Sequence, residues 1–447
     1  MARHALPARR RVLAPVLGVL LAAVVLAVLA WRPWLEAETP LPATSPGATS
    51  APSAPSSPDP SPAAPSPAAP SPAAPSPSAT PSPPTPAVFT VLGGGDVLPH
   101  ATVIRTAATG DGYDFVPLME PVAPFTRGAD LALCNLEVPL APPGTQPSGY
   151  PMFGAPTELV ADLARLGWDG CSTSTNHSLD RGLPGLVHTL DALDAAGLGH
   201  VGTARTPAEA DRPQLYRLDR AGQTVTVAHL GATYGTNGIP VPAAAPWAVT
   251  LIDVDGLVAR AAAARADGAD LVIVSVHCCS EYQGQPAPQQ VEIAEALAAS
   301  GEVDLVLGHH AHVPQPVARL EGGPGGRGMW VAYGLGNLIS NQDERCCVPQ
   351  TATGLLATAT VVKPADGPAR VDAVEWTAVT VDRVGAQRLY VLADLLAGAR
   401  PELLTLGADQ LTDRYRGVLD VVGTDAPERT APPVPTGPAP LVVPRAG

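Results

Sequence analysis

The stretch VDLVLGHHAHVPQP, residues 303–316, decides how the chain is read, because an apolar run delivers His309, His310 and His312 at its end. Only ten histidines occur in 447 residues, so three within four positions ask for an explanation. The apolar part reads as a buried strand and the rest as a polar turn. Two imidazoles separated by one residue on a turning backbone can face a single ion, and neutral imidazole is a favoured ligand of zinc, iron, nickel and copper. The competing reading is a histidine-rich surface loop. The stretch alone does not choose between them.

Composition divides the chain into unequal parts. Residues 12–31 form an uncharged apolar run that reaches the roughly 20 residues needed to cross a bilayer. Arg3, Arg9, Arg10 and Arg11 precede it, so residues 1–11 read as a cytoplasmic basic arm and everything after the span as extracytoplasmic. An uncleaved signal anchor is favoured over a cleaved signal peptide, because the run is long for a signal's apolar core. Residues 32–87 are rich in Pro, Ala, Ser and Thr, with SPAAP repeated at 61, 66 and 71. Such a segment has too little apolar bulk for a core and favours extended polyproline II. At roughly 3.1 Å per residue, the stretch from Pro40 to Ala87 could span about 150 Å. Residues 424–447 read as a second Pro-rich disordered segment, which leaves 88–423 as one large domain.

Within that domain apolar runs alternate with helical patterns, as in an α/β fold. Expected strands are AVFTVLGG (87–94), DLALCN (130–135), TVTVAHLGA (224–232), DLVIVSVH (270–277), VDLVLG (303–308) and MWVAYGLG (329–336). Helices are expected near 156–166, 184–196, 254–267 and 288–300. The later runs GLLATATVVK and RVDAVEWTAVTV read as hairpin partners, so the sheets are mixed.

Polar residues recur where these strands end. Asp96 closes GGGD, Glu137 follows CNL, His277 closes VSVH, and STSTNHSLDRG carries Asn176, His177 and Asp180. Ligands gathered from the carboxyl ends of several strands converge on one crevice, which is where open α/β sheets carry their sites. The net charge of −14 argues against nucleic acid as a partner, and bound metal would supply the positive charge that an anionic substrate needs.

These motifs, GGGDV, NLEVPL, TNHSLDRG, VSVHCCSEY, GHHAHVPQP and YGLGNLI, resemble in order and spacing the CapA-type poly-gamma-glutamate capsule proteins of the calcineurin-like metallophosphatase superfamily. The resemblance covers roughly residues 88–365. It implies a four-layer α/β sandwich with a centre of two divalent ions, with Mn, Fe or Zn as candidates. By motif, Asp96 is implied as a ligand of the first metal and Glu137 as the bridging carboxylate. Asn176, His277 and His310 would serve the second metal, and His312 would return to the first. His177 matches the family's general acid. Independently, Asp180 lies one helical turn on, where a carboxylate can orient the ring.

The implied role is that of a membrane-anchored metallophosphoesterase-like protein in the synthesis, export or attachment of poly-gamma-glutamate or another capsule polymer. Its expected partners are an anionic surface polymer or phosphoester substrate, the membrane, and a synthase or export complex. The alternative is a non-catalytic scaffold that binds polymer or the synthase complex. That alternative draws on Leu98, which stands where the superfamily usually has a first-motif histidine, and His100 is expected to be an ordinary loop residue. His309 is expected to point away from the His310/His312 pair. The six cysteines read as structural, with bridges between the pairs Cys278/Cys279 and Cys346/Cys347 favoured over a zinc site.

The topology makes a direct prediction. Protease added to intact cells will cut the Pro/Ala/Ser segment and release the domain. Digestion that occurs only after lysis would reverse the assigned orientation.

Overall fold

A computed structural model describes residues 85–445. The expected membrane anchor at 12–31 and most of the linker lie outside the described residues. Among the described residues, no helix is long and apolar enough to cross a membrane.

Two sheets form the centre. In the first, β14 (Arg388–Val391), β13 (Arg370–Asp382), β12 (Thr353–Lys363), β1 (Ala87–Val97), β2 (Leu131–Leu136), β3 (Gly170–Ser172) and β4 (Gly199–Val201) lie side by side, and β11 (Asn337–Ile339) pairs with the end of β1. In the second, the order is β15 (Leu441–Val443), β5 (Gln214–Arg220), β6 (Gln223–Thr233), β7 (Leu271–His277), β8 (Leu305–His309), β10 (Met329–Ala332) and β9 (Val317–Leu320). β1 to β4 are mutually parallel, as are β6, β7, β8 and β10. β12 and β13 form the expected antiparallel hairpin, so both sheets are mixed.

The strands are apolar on both faces because both faces are covered. Phe89, Val91, Leu131, Leu133, Ile273, Leu305 and Leu307 fill the space between the sheets. The outer face of the first sheet packs on helices Glu158–Arg165 and Gly182–Ala195 through Leu159, Leu163, Leu186 and Leu190. The outer face of the second packs on Val254–Ala266 and Pro288–Ser300 through Leu257, Ala261, Ile293 and Leu297. Layers therefore run helix, sheet, sheet, helix. Each fully buried large apolar side chain contributes roughly 1.5–3 kcal/mol.

Two expectations are corrected here. Residues 424–445 are ordered rather than a disordered tail. The Trp376 indole donates to Ala426 O at 3.0 Å, Thr436 N donates to Asp130 Oδ1 at 2.7 Å, and Leu441–Val443 pair antiparallel with β5. Arg445 is 5% exposed and donates to His200 O at 2.8 Å and to Glu209 O. Prolines do not prevent this, because most of the segment docks through isolated hydrogen bonds rather than a ladder. The cysteine pairs also do not cross-link. Cys134 bonds Cys171 between the adjacent strands β2 and β3, Cys278 bonds Cys279, and Cys346 and Cys347 are free thiols.

Arg445→Ala strips donors from buried carbonyls and will cost about 1–3 kcal/mol in denaturant unfolding. An unchanged unfolding midpoint would mean that this docking does not contribute to stability.

Candidate metal centre

The site is built where strand rows of the two sheets end. Across the first sheet, Asn337, Asp96, Asn135 and Ser172 are register partners on β11, β1, β2 and β3. Across the second, Thr233, His277 and His309 are register partners on β6, β7 and β8. Partners in one register share a face of a sheet, so each row presents its polar side chains together.

The glycines of the motifs admit close backbone approach. A Cβ at Gly95 would fall 2.2 Å from Gly336 O, and the neighbouring Asp96 N donates to that same carbonyl at 2.9 Å. A Cβ at Gly308 would fall 1.9 Å from Tyr333 O. Past β8 the chain turns sharply, with His310 and His312 at φ +83° and +56°. That region is uncommon for side-chain-bearing residues, though histidine visits it more than most, and such residues gather at functional sites.

All six expected ligands come together, and all are buried. His312 Nδ1 lies 3.2 Å from Asp96 Oδ2, and its Nε2 lies 3.6 Å from Glu137 Oε1. His277 Nε2 lies 3.7 Å from Glu137 Oε1 and 2.9 Å from Asn176 Oδ1. The His310 and His277 rings are 4.8 Å apart. Donor atoms of Glu137, His310 and His312 all lie within 4.8 Å of one another. Tyr234, 41% exposed, sits 4.6 Å from the His310 ring and marks the solvent side.

The donor set suits cations. Neither oxygen of Glu137 has a hydrogen-bond partner, nor does His310 Nδ1. Buried groups of this kind are costly unless an ion or proton compensates them. Burial pushes the Glu137 carboxyl well above the usual range and the His277 imidazole well below its own. Burial and the neighbouring His312 press His310 down to about 3. For His312 burial acts downward too, but Glu137 and Asp96 outweigh it and lift the ring to about 9. Burial would raise Asp96, yet its contacts with His309 and His312 hold it well below the carboxylate range.

His177 stands beside this cluster. Its Nδ1 lies 2.8 Å from Asp180 Oδ2, which also accepts from Phe153 N at 2.7 Å, and the Phe153 ring meets the imidazole edge-on at 4.8 Å. Several residues not singled out in the sequence support the arrangement. Asn135 donates to Asp96 Oδ1 at 2.9 Å, and Asn237 Oδ1 accepts from Asn176 Nδ2 at 3.2 Å. Asn337 is buried with its Oδ1 3.2 Å from His312 Nδ1. Parity could have flagged Asn135, since residues 135 and 137 alternate onto one face; nothing in ATYGTNGIP marks Asn237.

Two further positions bear on the first motif. Leu98 is 2% exposed and packs in the apolar core, while His100 turns its Nδ1 to Leu98 O at 3.0 Å and its ring against Phe153. His309 corrects an expectation: its Nδ1 lies 3.5 Å from Asp96 Oδ1 instead of pointing away from the site. As the last residue of β8 it shares the inter-sheet face with Leu305 and Leu307, and Asp96 is what lies across that face.

Residues 90–342 match the bacterial capsule synthesis protein family PGA_cap. The chain belongs to that family. It is 28% identical over 299 residues to a probable polyglutamine synthesis accessory protein of Mycobacterium tuberculosis, covering 58% of this chain and 76% of the relative. It is 26% identical over 232 residues to the PGA biosynthesis protein CapA of Bacillus subtilis, covering 50% of this chain and 57% of that protein. Among solved structures, a calcineurin-like phosphoesterase from Bacillus subtilis aligns with a TM-score of 0.39 at 16% identity, covering 75% of this chain and 98% of the other. The NAD nucleotidase of Haemophilus influenzae aligns at 0.40 and 12%, covering 75% and 61%.

The donor set predicts that purified protein carries transition metal and that Glu137→Ala or His310→Ala lowers its content, as read by elemental analysis. Metal-free wild type with an intact fold would remove the centre.

Proposed function

We infer that the chain is a metal-dependent phosphoester hydrolase that serves capsule polymer synthesis, export or attachment from an extracytoplasmic, membrane-anchored position. The polymer is poly-gamma-glutamate or another anionic chain, and a synthase or export complex is the natural partner. Membership of the capsule family supports the pathway. The observation that carries the chemistry is His177, oriented by Asp180 beside a cluster of buried, unpartnered metal donors.

Asp96, Glu137, Asn176, His277, His310 and His312 would hold two divalent ions. Ions held there would supply charge stabilisation to a phosphoryl group. The remaining work falls to the chain's own groups. Asp180 accepts the Nδ1 proton of His177 while Phe153 N fixes the carboxylate, so the ring cannot turn freely. The Nε2 proton of the imidazolium is then the one available to a leaving oxygen, as general acid catalysis requires. Phe153 at the ring's edge keeps water off that side. One observation favours the scaffold reading: Leu98 lies in the apolar core and brings no donor to the first metal.

His177→Ala separates the two. It should retain metal and fold but lose roughly 10²–10⁴ in hydrolysis of esters with poor leaving groups, and much less with nitrophenyl esters, whose oxygen needs little protonation. Asp180→Asn should give a milder form of the same pattern. Fully loaded wild type that hydrolyses no phosphomonoester or phosphodiester would leave the scaffold reading in place.

A further inference from the structure

The geometry points to His309 as a positioning residue that holds Asp96 in its metal-binding orientation, compensating for the imidazole missing at Leu98; this rests on the metal-centre reading above. The two Asp96 oxygens are engaged on opposite sides. Oδ2 faces His312 Nδ1 at 3.2 Å and accepts from His310 N at 3.2 Å. Oδ1 accepts from Asn135 Nδ2 at 2.9 Å and faces His309 Nδ1 at 3.5 Å. His309 is therefore on the Asp96 oxygen that Asn135 also engages, while His312 faces the other one.

The imidazole has no other visible employment. It is 1% exposed, and neither ring nitrogen has a hydrogen-bond partner within normal reach. A buried imidazole without partners is costly, so its retention needs a compensating contact. The Asp96 carboxylate is the one in range, and a shift of a few tenths of an ångström would turn 3.5 Å into an ordinary N–H···O bond. Elsewhere, carboxylates and imidazoles that bind metal rely on such outer partners for orientation, and their loss weakens metal affinity by about 10- to 100-fold.

The test uses the full chain and Mn²⁺ titrated against a competing chelator, with thermal unfolding of the metal-free protein alongside. His309→Leu is expected to weaken the tighter-bound Mn²⁺ by about 10- to 100-fold while leaving metal-free unfolding near wild type. His309→Asn keeps an N–H close to the Nδ1 position and should restore most of the affinity. His309→Gln carries its N–H near Nε2, away from Asp96, and should not. If His309→Leu fails to fold, the Asn and Gln pair decides: equal affinities overturn the assignment, and the expected split supports it. Wild-type Mn²⁺ affinity in a folded His309→Leu overturns it outright, with the metal centre left standing. Wild type that binds no Mn²⁺, Fe²⁺ or Zn²⁺ overturns the centre and this assignment together.

Discussion

Glu137 imposes the constraint on which the site depends. Its carboxylate is fully buried and neither oxygen has a hydrogen-bond partner. Imidazole nitrogens of His277 and His312 lie 3.7 and 3.6 Å from its Oε1. Those distances are too long for direct hydrogen bonds and leave room for an ion between them. A protein keeps such a group only where a proton or a cation repays the loss of hydration. The imidazoles, the Asn176 amide and Asp96 are arranged around that need.

The double sheet makes the arrangement rigid. Parallel strands bring their carboxyl ends to one side, so residues distant in sequence arrive in register: Asp96 beside Asn135, and His277 beside His309. Asp96 also meets β11 through Asn337, whose amide spans His312, Gln342 and Thr351. A side chain on a strand or strand end loses less by being held than one on a mobile loop, and precise metal geometry benefits from that. Asn176 and His177 lie instead on the loop after β3, where Asn237 and Asp180 do the holding, and His310 and His312 lie on the turn past β8.

Much of this was legible because long apolar runs end abruptly at polar residues. The strands carrying Asp96, Glu137, His277 and His310 were read within a few residues, as were the helices from 254 and 288. β3 and β4 were not, since three residues carry too little periodicity to register. The ordered segment after residue 423 escaped because proline-rich composition looks the same whether a chain floats or docks through a few anchors such as Trp376 and Arg445. His309 was expected to point away because His310 and His312 carry the ligand spacing; in a double sheet, however, the inner face of β8 looks onto the other sheet, and Asp96 lies there.

β1 has a directional consequence. The described chain enters at Thr85, whose carbonyl accepts from Gln223, and runs straight up the middle of the first sheet to Asp96. At about 3.3 Å per residue, the point of entry lies roughly 35 Å from the candidate centre, at the other end of the sandwich. Any force or tether acting through the preceding residues is therefore taken up in shear by the neighbouring strands β12 and β2.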